Sequence, residues 1–284
     1  MSEQLYYAGD LLDILTGEFQ KHDMEQAEAE AVAILAELLQ CNRVQAKFDR
    51  QRKISAELYN QGLQTIERRL NNEPWQYIFQ RAYFRDLELM VTPDVLIPRP
   101  ETELLVDWSI KFLPQGARVL DLGTGSGAIA LSLATERRDL RVTACDVSVQ
   151  ALQVAQTNAE KCAAGNVEFI ESNLFSNLSG RKFDLIAANL PYVTEEEYTQ
   201  LSAEVHDYEP KLALTSGDDG LDLIRQTIEE APQYLNYNGA MILEISDWQT
   251  EIAANIFADS LQWTAIEIIR DYTGRRRFTA ARPR

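Results

Sequence analysis

From Ala117 onward, short apolar runs alternate with stretches of helical spacing. "ARVLDLG", "LRVTACDV", "NVEFIES", "FDLIAANL", "GAMILEIS" and "WTAIEIIRD" read as strands. "SGAIALSLATER", "SVQALQVAQTNAEKC", "GLDLIRQTIEEAPQYL" and "DWQTEIAANIFADS" read as the helices between them. Strictly alternating strands and helices imply a largely parallel sheet covered on both faces. In such a sheet ligands bind in the crevice beyond the carboxyl ends of the strands. The candidate chemistry should therefore sit where each strand run gives way to a turn.

The rest of the chain reads differently. In "AEAEAVAILAELLQ" (27–40), Ala31, Ile34, Leu35, Leu38 and Leu39 recur at helical spacing, and "SAELYNQGLQTIERRL" (55–70) repeats the pattern with Ser55 as an N-cap. Residues 1–73 are expected to form a small helical bundle. Residues 74–115 form a connector, with strand-like runs at Ala82–Phe84 and Leu87–Val91 that suggest a hairpin. "IPRPETELLV" then turns into a helix, with Pro100 in its first turn and Glu101 and Glu103 at its positive end. This segment either lines the mouth of a site or simply starts that helix. Residues 116–284 are the strand–helix domain. No apolar run reaches the roughly 18 residues of a membrane span, and no signal-peptide pattern opens the chain.

The formal net charge is −17. A protein that grips phosphate backbones normally shows a basic face, so this balance argues against nucleic acid as the main partner. It suits a basic protein partner or a solvated surface equally well. The three cysteines, Cys41, Cys145 and Cys162, have no paired spacing that would suggest a disulfide framework or a zinc site. Reduced thiols in cytoplasm are the expected state. No metal is expected, and His22 and His206 are expected to be surface or structural.

Four strand ends carry the candidate site. The first is "VLDLGTGSGAIALSLA", with Gly123, Gly125 and Gly127 spaced G-x-G-x-G after Asp121. Glycines allow a tight turn and close approach to a ligand, and the spacing differs from the G-x-G-x-x-G of dinucleotide folds. The second ends at Asp146, about 20 residues after the loop, where a ribose-binding carboxylate belongs. Asp146 or Ser148 is also suited to cap the next helix. The third ends at Asn173 and Leu174, an amide for an adenine edge and an apolar cover for its face. The fourth ends in "AANLPYV", with Asn189, Leu190, Pro191 and Tyr192. A planar nitrogen is a poor nucleophile, so methylating one depends on positioning. The Asn189 side-chain oxygen and the Leu190 carbonyl supply two acceptors, Pro191 stiffens them, and Tyr192 offers a flat packing surface.

These residues resemble the S-adenosylmethionine-dependent methyltransferases of seven-strand Rossmann-like fold. Asn-x-Pro-Tyr marks the members that methylate planar nitrogens. More specifically, "PWQYIFQRAYFRDLELMVTPDVLIPRPETELLV", "DLGTGSGAIALSLA", "NLPYV", "YEPKLALTSGDDGLDL" and "DYTGRRRF" look like the peptide-chain release factor glutamine N5-methyltransferases. The resemblance runs from about Pro74 to Phe278; the N-terminal helices match in character and length. It implies an α/β fold: a seven-strand Rossmann-like methyltransferase domain with a small N-terminal helical bundle and a β-hairpin connector. It further implies that Gly123, Thr124, Gly125, Ser126 and Gly127 approach the methionine part of S-adenosylmethionine, with Asp121 near its amino group. Asp146 would bind the ribose, Asn173 and Leu174 would line the adenine, and Asn189 would border the methyl donor. Asn189, Leu190, Pro191 and Tyr192 would hold the glutamine of a Gly-Gly-Gln motif, and the N-terminal helices would help dock the release factor. Three positions depart from the family's usual residues: Leu190 for proline, Asn173 for aspartate and Gln80 for glycine.

The alternatives at this stage are a glutamine methyltransferase acting on a ribosomal protein, a DNA adenine N6-methyltransferase, and a binding module without catalysis. DNA methylation would require a basic groove and base flipping, which the charge disfavours. The chain is expected in the cytoplasm without membrane or direct DNA contact; the sequence leaves its oligomeric state open, with a monomer favoured. The run "GRRRF" reads as a solvated turn or as a contact for RNA or an acidic partner.

Overall fold

The structure, a computed structural model, describes residues 5–284. The chain divides after Phe79 into two compact units. In the first, the order is β1 (Tyr6–Tyr7), α1 (Ala8–Lys21), α2 (Ala27–Leu39), α3 (Arg43–Phe48), β2 (Lys53–Ile54), α4 (Ala56–Leu70) and α5 (Trp75–Ile78). Ser55 caps α4 by accepting from Leu58 N at 3.1 Å. Leu11, Leu15 and Phe19 of α1 pack with Ala31, Ile34 and Leu35 of α2 and Ile66 of α4. A Cβ at Gly62 would lie 2.7 Å from Leu11 Cδ2, so α4 approaches α1 closely only because that side chain is missing. The antiparallel β1–β2 pair, Tyr6 opposite Ile54, was not legible in a sequence that reads as helical throughout. Two residues are too few to display a strand period.

The second unit opens with the hairpin β3 (Ala82–Phe84) and β4 (Leu87–Leu89). Its second strand stops before the expected Val91. Asn158 takes over there: its Oδ1 accepts from Met90 N at 2.7 Å and its Nδ2 donates to Met90 O at 2.9 Å. A 3-10 turn at Pro100–Thr102 leads into α6 (Glu103–Phe112). Then follow β5 (Arg118–Leu122), α7 (Ala128–Glu136), β6 (Arg141–Asp146), α8 (Val149–Lys161), β7 (Val167–Glu171), β8 (Phe183–Ala188), α9 (Glu195–Tyr198), α10 (Ala203–Tyr208), α11 (Asp222–Glu230), β9 (Leu235–Glu244), α12 (Thr250–Asp259), β10 (Trp263–Arg270) and β11 (Arg276–Pro283).

The sheet has seven strands in the order β10-β11-β9-β8-β5-β6-β7. The run from β9 to β7 is parallel, and β11 is antiparallel to both β9 and β10. Alternate residues go to opposite faces. Val119, Val142, Leu185 and Ile242 pack with α6, α7 and α8; Leu120, Leu122, Ile186 and Leu243 pack with α11 and α12. Burial on both faces explains why these strands read as continuous apolar runs. The strand order reverses between β5 and β8, which places a topological switch point, and hence a crevice, at their carboxyl ends.

The "GRRRF" run starts β11 after a turn at residues 271–274. Arg276 Nε donates to Asp247 Oδ1 at 2.8 Å and the same guanidinium pairs with Glu251; Arg277 Nε lies 3.7 Å from Asp271 Oδ2. Two of the three arginines are thus held by carboxylates of the same unit rather than left as a basic patch. Among the described residues, no helix is long and apolar enough to cross a membrane, and no group of three or more His, Cys, Asp or Glu is placed to hold a metal ion.

Candidate active site

The glycine-rich loop is fixed from below by its own strand and from the side by the next one. Gly123 N and Thr124 N both donate to Cys145 O at 2.9 Å. Gly123, Gly125 and Gly127 all have positive φ (+77°, +54° and +85°), backbone that other residues adopt only with strain. Asp121 is fully buried under the loop. Its Oδ2 accepts from Thr124 Oγ1 at 2.7 Å and from Ala130 N at 3.1 Å, which ties the loop to the first turn of α7. Burial pushes the Asp121 carboxyl up to about 7 against the pull of those donors, and its Oδ1 has no partner among the described residues.

Asp146 performs two local tasks. Its Oδ2 accepts from Gly125 N and its Oδ1 from Ser148 N, both at 2.9 Å, while Ser148 Oγ caps α8 by accepting from Ala151 N at 3.1 Å. Burial raises the Asp146 pKa and the backbone donors lower it. At the end of β7, Leu174 is 6% exposed with φ +45°, an unusual conformation for a leucine; its carbonyl accepts from Ser172 Oγ at 2.7 Å.

At the end of β8, Asn189 Nδ2 donates to Thr102 Oγ1 at 3.2 Å. The Leu190 side chain is buried and would meet a Cβ at Gly123 at 3.0 Å, so this loop and the glycine loop abut. Tyr192 O accepts from Gln249 Nε2 at 2.9 Å, and Val193 N donates to Leu214 O at 2.8 Å, so the exit of the segment is tied down as well. Burial, then the neighbouring Glu244, pushes the Tyr192 hydroxyl up to about 12.

These ends surround a cavity of about 420 Å³. Gly123, Thr124, Gly125, Ser126, Asp146, Asn173, Leu174, Asn189, Leu190 and Pro191 line it. Three of the expected residues do not. Asp121 lies beneath the loop. Gly127 starts α7, where a Cβ would press on Leu131 at 3.0 Å and Ala155 at 3.3 Å. Tyr192 borders a second, shallower depression with Val193, Glu197 and Ser246. The two alternative roles of the "IPRPE" segment are both present: Pro98 and Arg99, with Thr102 just after, line the cavity, and Pro100 begins the turn into α6.

Sequence reasoning missed several supports. Asn158, fully buried on α8, donates from Nδ2 to Ser126 O at 2.9 Å as well as holding Met90. Glu209, 4% exposed, accepts from Arg99 Nη2 at 2.5 Å and from Ile97 N at 3.2 Å, joining two segments of the cavity wall. Glu244 closes the buried, apolar second half of β9; burial pushes its carboxyl up to about 7, and the nearby Thr102 hydroxyl and Arg277 pull it down. A lone acid closing an apolar strand, "AMILE", was the available signal for Glu244. Nothing local marks Asn158.

Comparison with known proteins places these features in context. The family model for the methyltransferase small domain matches residues 101–206, and that for the PrmC N-terminal domain matches residues 10–79. The release factor glutamine methyltransferase of Geobacter sulfurreducens is 36% identical over 248 residues, 87% of this chain and 87% of the relative. That of Salmonella typhimurium is 40% identical over 218 residues, covering 76% and 78%. Among solved structures, the T. thermophilus 16S rRNA N2 G1207 methyltransferase, in complex with AdoMet and guanosine, aligns with a TM-score of 0.53 at 19% identity, covering 72% of this chain and 50% of that one. At that identity the likeness is one of fold.

Proposed function

The chain belongs to the release factor glutamine methyltransferase family, and from that premise we propose that it methylates the side-chain amide nitrogen of the Gly-Gly-Gln glutamine in peptide-chain release factors, using S-adenosylmethionine. The observation that carries the reading is Asn189. It stands on the cavity wall at the carboxyl end of β8 with its NH2 engaged by Thr102, which leaves its Oδ1 to accept from a substrate N–H. The Leu190 carbonyl is the second acceptor. Together they orient an amide nitrogen whose lone pair is delocalised, and they stabilise the positive charge that grows on it. Pro191 limits the segment's freedom.

Bound in the cavity, S-adenosylmethionine would supply an electrophilic methyl group, becoming S-adenosylhomocysteine, and the proton lost by the substrate nitrogen would pass to water. The cavity lining suits that molecule: glycine backbone at one end, the Asp146 carboxylate for ribose hydroxyls, and Asn173 with Leu174 for adenine. At Gly125 a Cβ would meet nothing within 4 Å, so the loop leaves open space where a ligand would lie. Asp121 acts from beneath, holding the loop through Thr124 and α7. The helical unit is assigned to docking the release factor, and the reaction to the cytoplasm, where that substrate works. The relatives name neither a ribosomal-protein glutamine nor DNA adenine as substrate. Incubation of the purified chain with methyl-labelled S-adenosylmethionine and, separately, release factor, ribosomal proteins and DNA tests the assignment. Label is expected in release factor; label in DNA or ribosomal protein alone overturns it.

A further inference from the structure

We propose that Gln249 and Gly220 are positioning residues for methyl transfer: together they fix the Tyr192 carbonyl, and through it the two acceptors of the Asn189–Tyr192 segment. The inference rests on the functional reading above. It gives a role to the "SGDDG" loop (216–220) and to the turn before α12, neither of which lines the cavity.

The chemistry sets the problem. Asn189 Oδ1 and the Leu190 carbonyl must stay open for the substrate N–H groups, so neither can anchor the segment that carries them. Anchors have to come from groups the substrate does not use. At the start of the segment Asn189 Nδ2 donates to Thr102 Oγ1 at 3.2 Å. At its end Tyr192 O accepts from Gln249 Nε2 at 2.9 Å. One residue on, Val193 N donates to Leu214 O at 2.8 Å and Val193 O accepts from Ser216 N at 3.2 Å.

Gln249 is fully buried, and both ends of its amide are engaged. Its Oε1 accepts from Ser246 Oγ at 2.9 Å and from Ser246 N at 3.4 Å, which decides which end of the amide faces the loops. Its NH2 then donates to Tyr192 O at 2.9 Å and to Asp219 O at 3.1 Å. One side chain thus joins the catalytic segment, the 216–220 loop and the turn after β9. Gly220 is seated against the same carbonyl. A Cβ there would overlap Tyr192 O and come within 2.7 Å of Gln249 Nε2. A backbone oxygen moves only with its peptide, and Pro191 restricts the chain just before it. A push on Tyr192 O is therefore passed back towards the Leu190 carbonyl, and a misplacement of about 1 Å can cost about 100-fold in rate.

Gly217 supplies the control. It has the same φ as Gly220, +71°, in the same loop. The atoms nearest a Cβ there belong to the Asp222 carboxyl, an exposed group that can turn aside.

The test is steady-state methyl transfer to release factor by the full-length chain at saturating S-adenosylmethionine, with S-adenosylhomocysteine affinity from calorimetry. Gln249→Met keeps the length of the side chain and removes its hydrogen bonds; kcat should fall by about tenfold or more, with S-adenosylhomocysteine affinity changed by less than about threefold. Gly220→Ala should show the same split. Gly217→Ala should lower the urea midpoint as Gly220→Ala does, because both force a side chain into left-handed backbone, yet keep kcat within about threefold of wild type. Wild-type kcat in either Gln249→Met or Gly220→Ala, cofactor affinity lost in step with kcat, or a Gly217→Ala protein as slow as Gly220→Ala would overturn the inference. If circular dichroism shows one of the two variants unfolded, the other decides. If both are unfolded, Ser246→Ala decides, since it removes a single bond to the Gln249 oxygen: a kcat lowered by about threefold or more upholds the inference and an unchanged kcat overturns it. Wild-type protein that transfers no methyl to release factor counts against the functional reading instead, whereas an active wild type indifferent to Gln249 counts against this inference alone.

Discussion

At Asn189 one amide has to satisfy a scaffold and a substrate with opposite ends, and only its donor end is engaged by Thr102. Asn189→Ala is expected to lower kcat for methyl transfer by roughly 100-fold or more, the scale of removing a preorganised transition-state contact. Cofactor affinity should change much less, because the glycine loop and Asp146 are untouched; isothermal calorimetry with S-adenosylhomocysteine separates the two effects. Asp121 gives a prediction of another kind. Its folded pKa is near 7, raised from an ordinary value near 4. Between those values the native state holds a proton that the unfolded chain has released, so this group's contribution to stability is present at acid pH and is lost as pH rises through about 7. Asp121→Asn does not titrate. Its melting temperature relative to wild type should therefore rise from about pH 5 to about pH 8, and a difference that stays flat or falls would contradict the buried-acid reading. The glycines, Asp146 and Asn189 were legible because each sits at the end of an apolar run. Thr102 was not, because its meeting with Asn189 depends on a turn 87 residues away along the chain.

The elements that position the site differ in how openly they announce themselves. Strands β5, β6 and β8 are buried on both faces over most of their length and read as largely apolar text. The strand β11 begins with two arginines and carries only a short apolar centre, and its place between β9 and β10 is a long-range pairing that no local pattern states. The hairpin connector shows a local conflict. Gln80 is exposed with φ +51°, at the position where the family resembled usually has glycine. Left-handed backbone costs a non-glycine residue about 1–2 kcal/mol, and glycine gives back about 0.5–1 through its freer unfolded state. Gln80→Gly should accordingly raise stability by up to about 1 kcal/mol. Urea denaturation measures it as a higher midpoint at unchanged slope; a lower midpoint would mean that Gln80 makes contacts worth more than its strain.

Over the whole molecule, a chain of net charge −17 divides after Phe79 into a helical unit and a seven-strand methyltransferase unit. The charge balance pointed away from nucleic acid, and the curated relatives act on a protein. The shift from helical spacing to alternation suggested a boundary at residue 74, whereas the structure divides after Phe79. The break itself, within "YIFQRAY", carries no proline or glycine to mark it. A fragment of residues 80–284 is expected to bind S-adenosylhomocysteine as the full chain does. It should methylate release factor at least about tenfold less efficiently, a loss of about 1.4 kcal/mol of docking energy; full activity of the folded fragment would remove the docking role from the helical unit. The central claim is tested most directly by peptide mass spectrometry of release factor after incubation with the full-length chain and S-adenosylmethionine. A mass gain of one methyl group on the side-chain amide of the Gly-Gly-Gln glutamine, absent without the chain, is the expected result. Unmodified glutamine, or a methyl group placed on another residue, would contradict it.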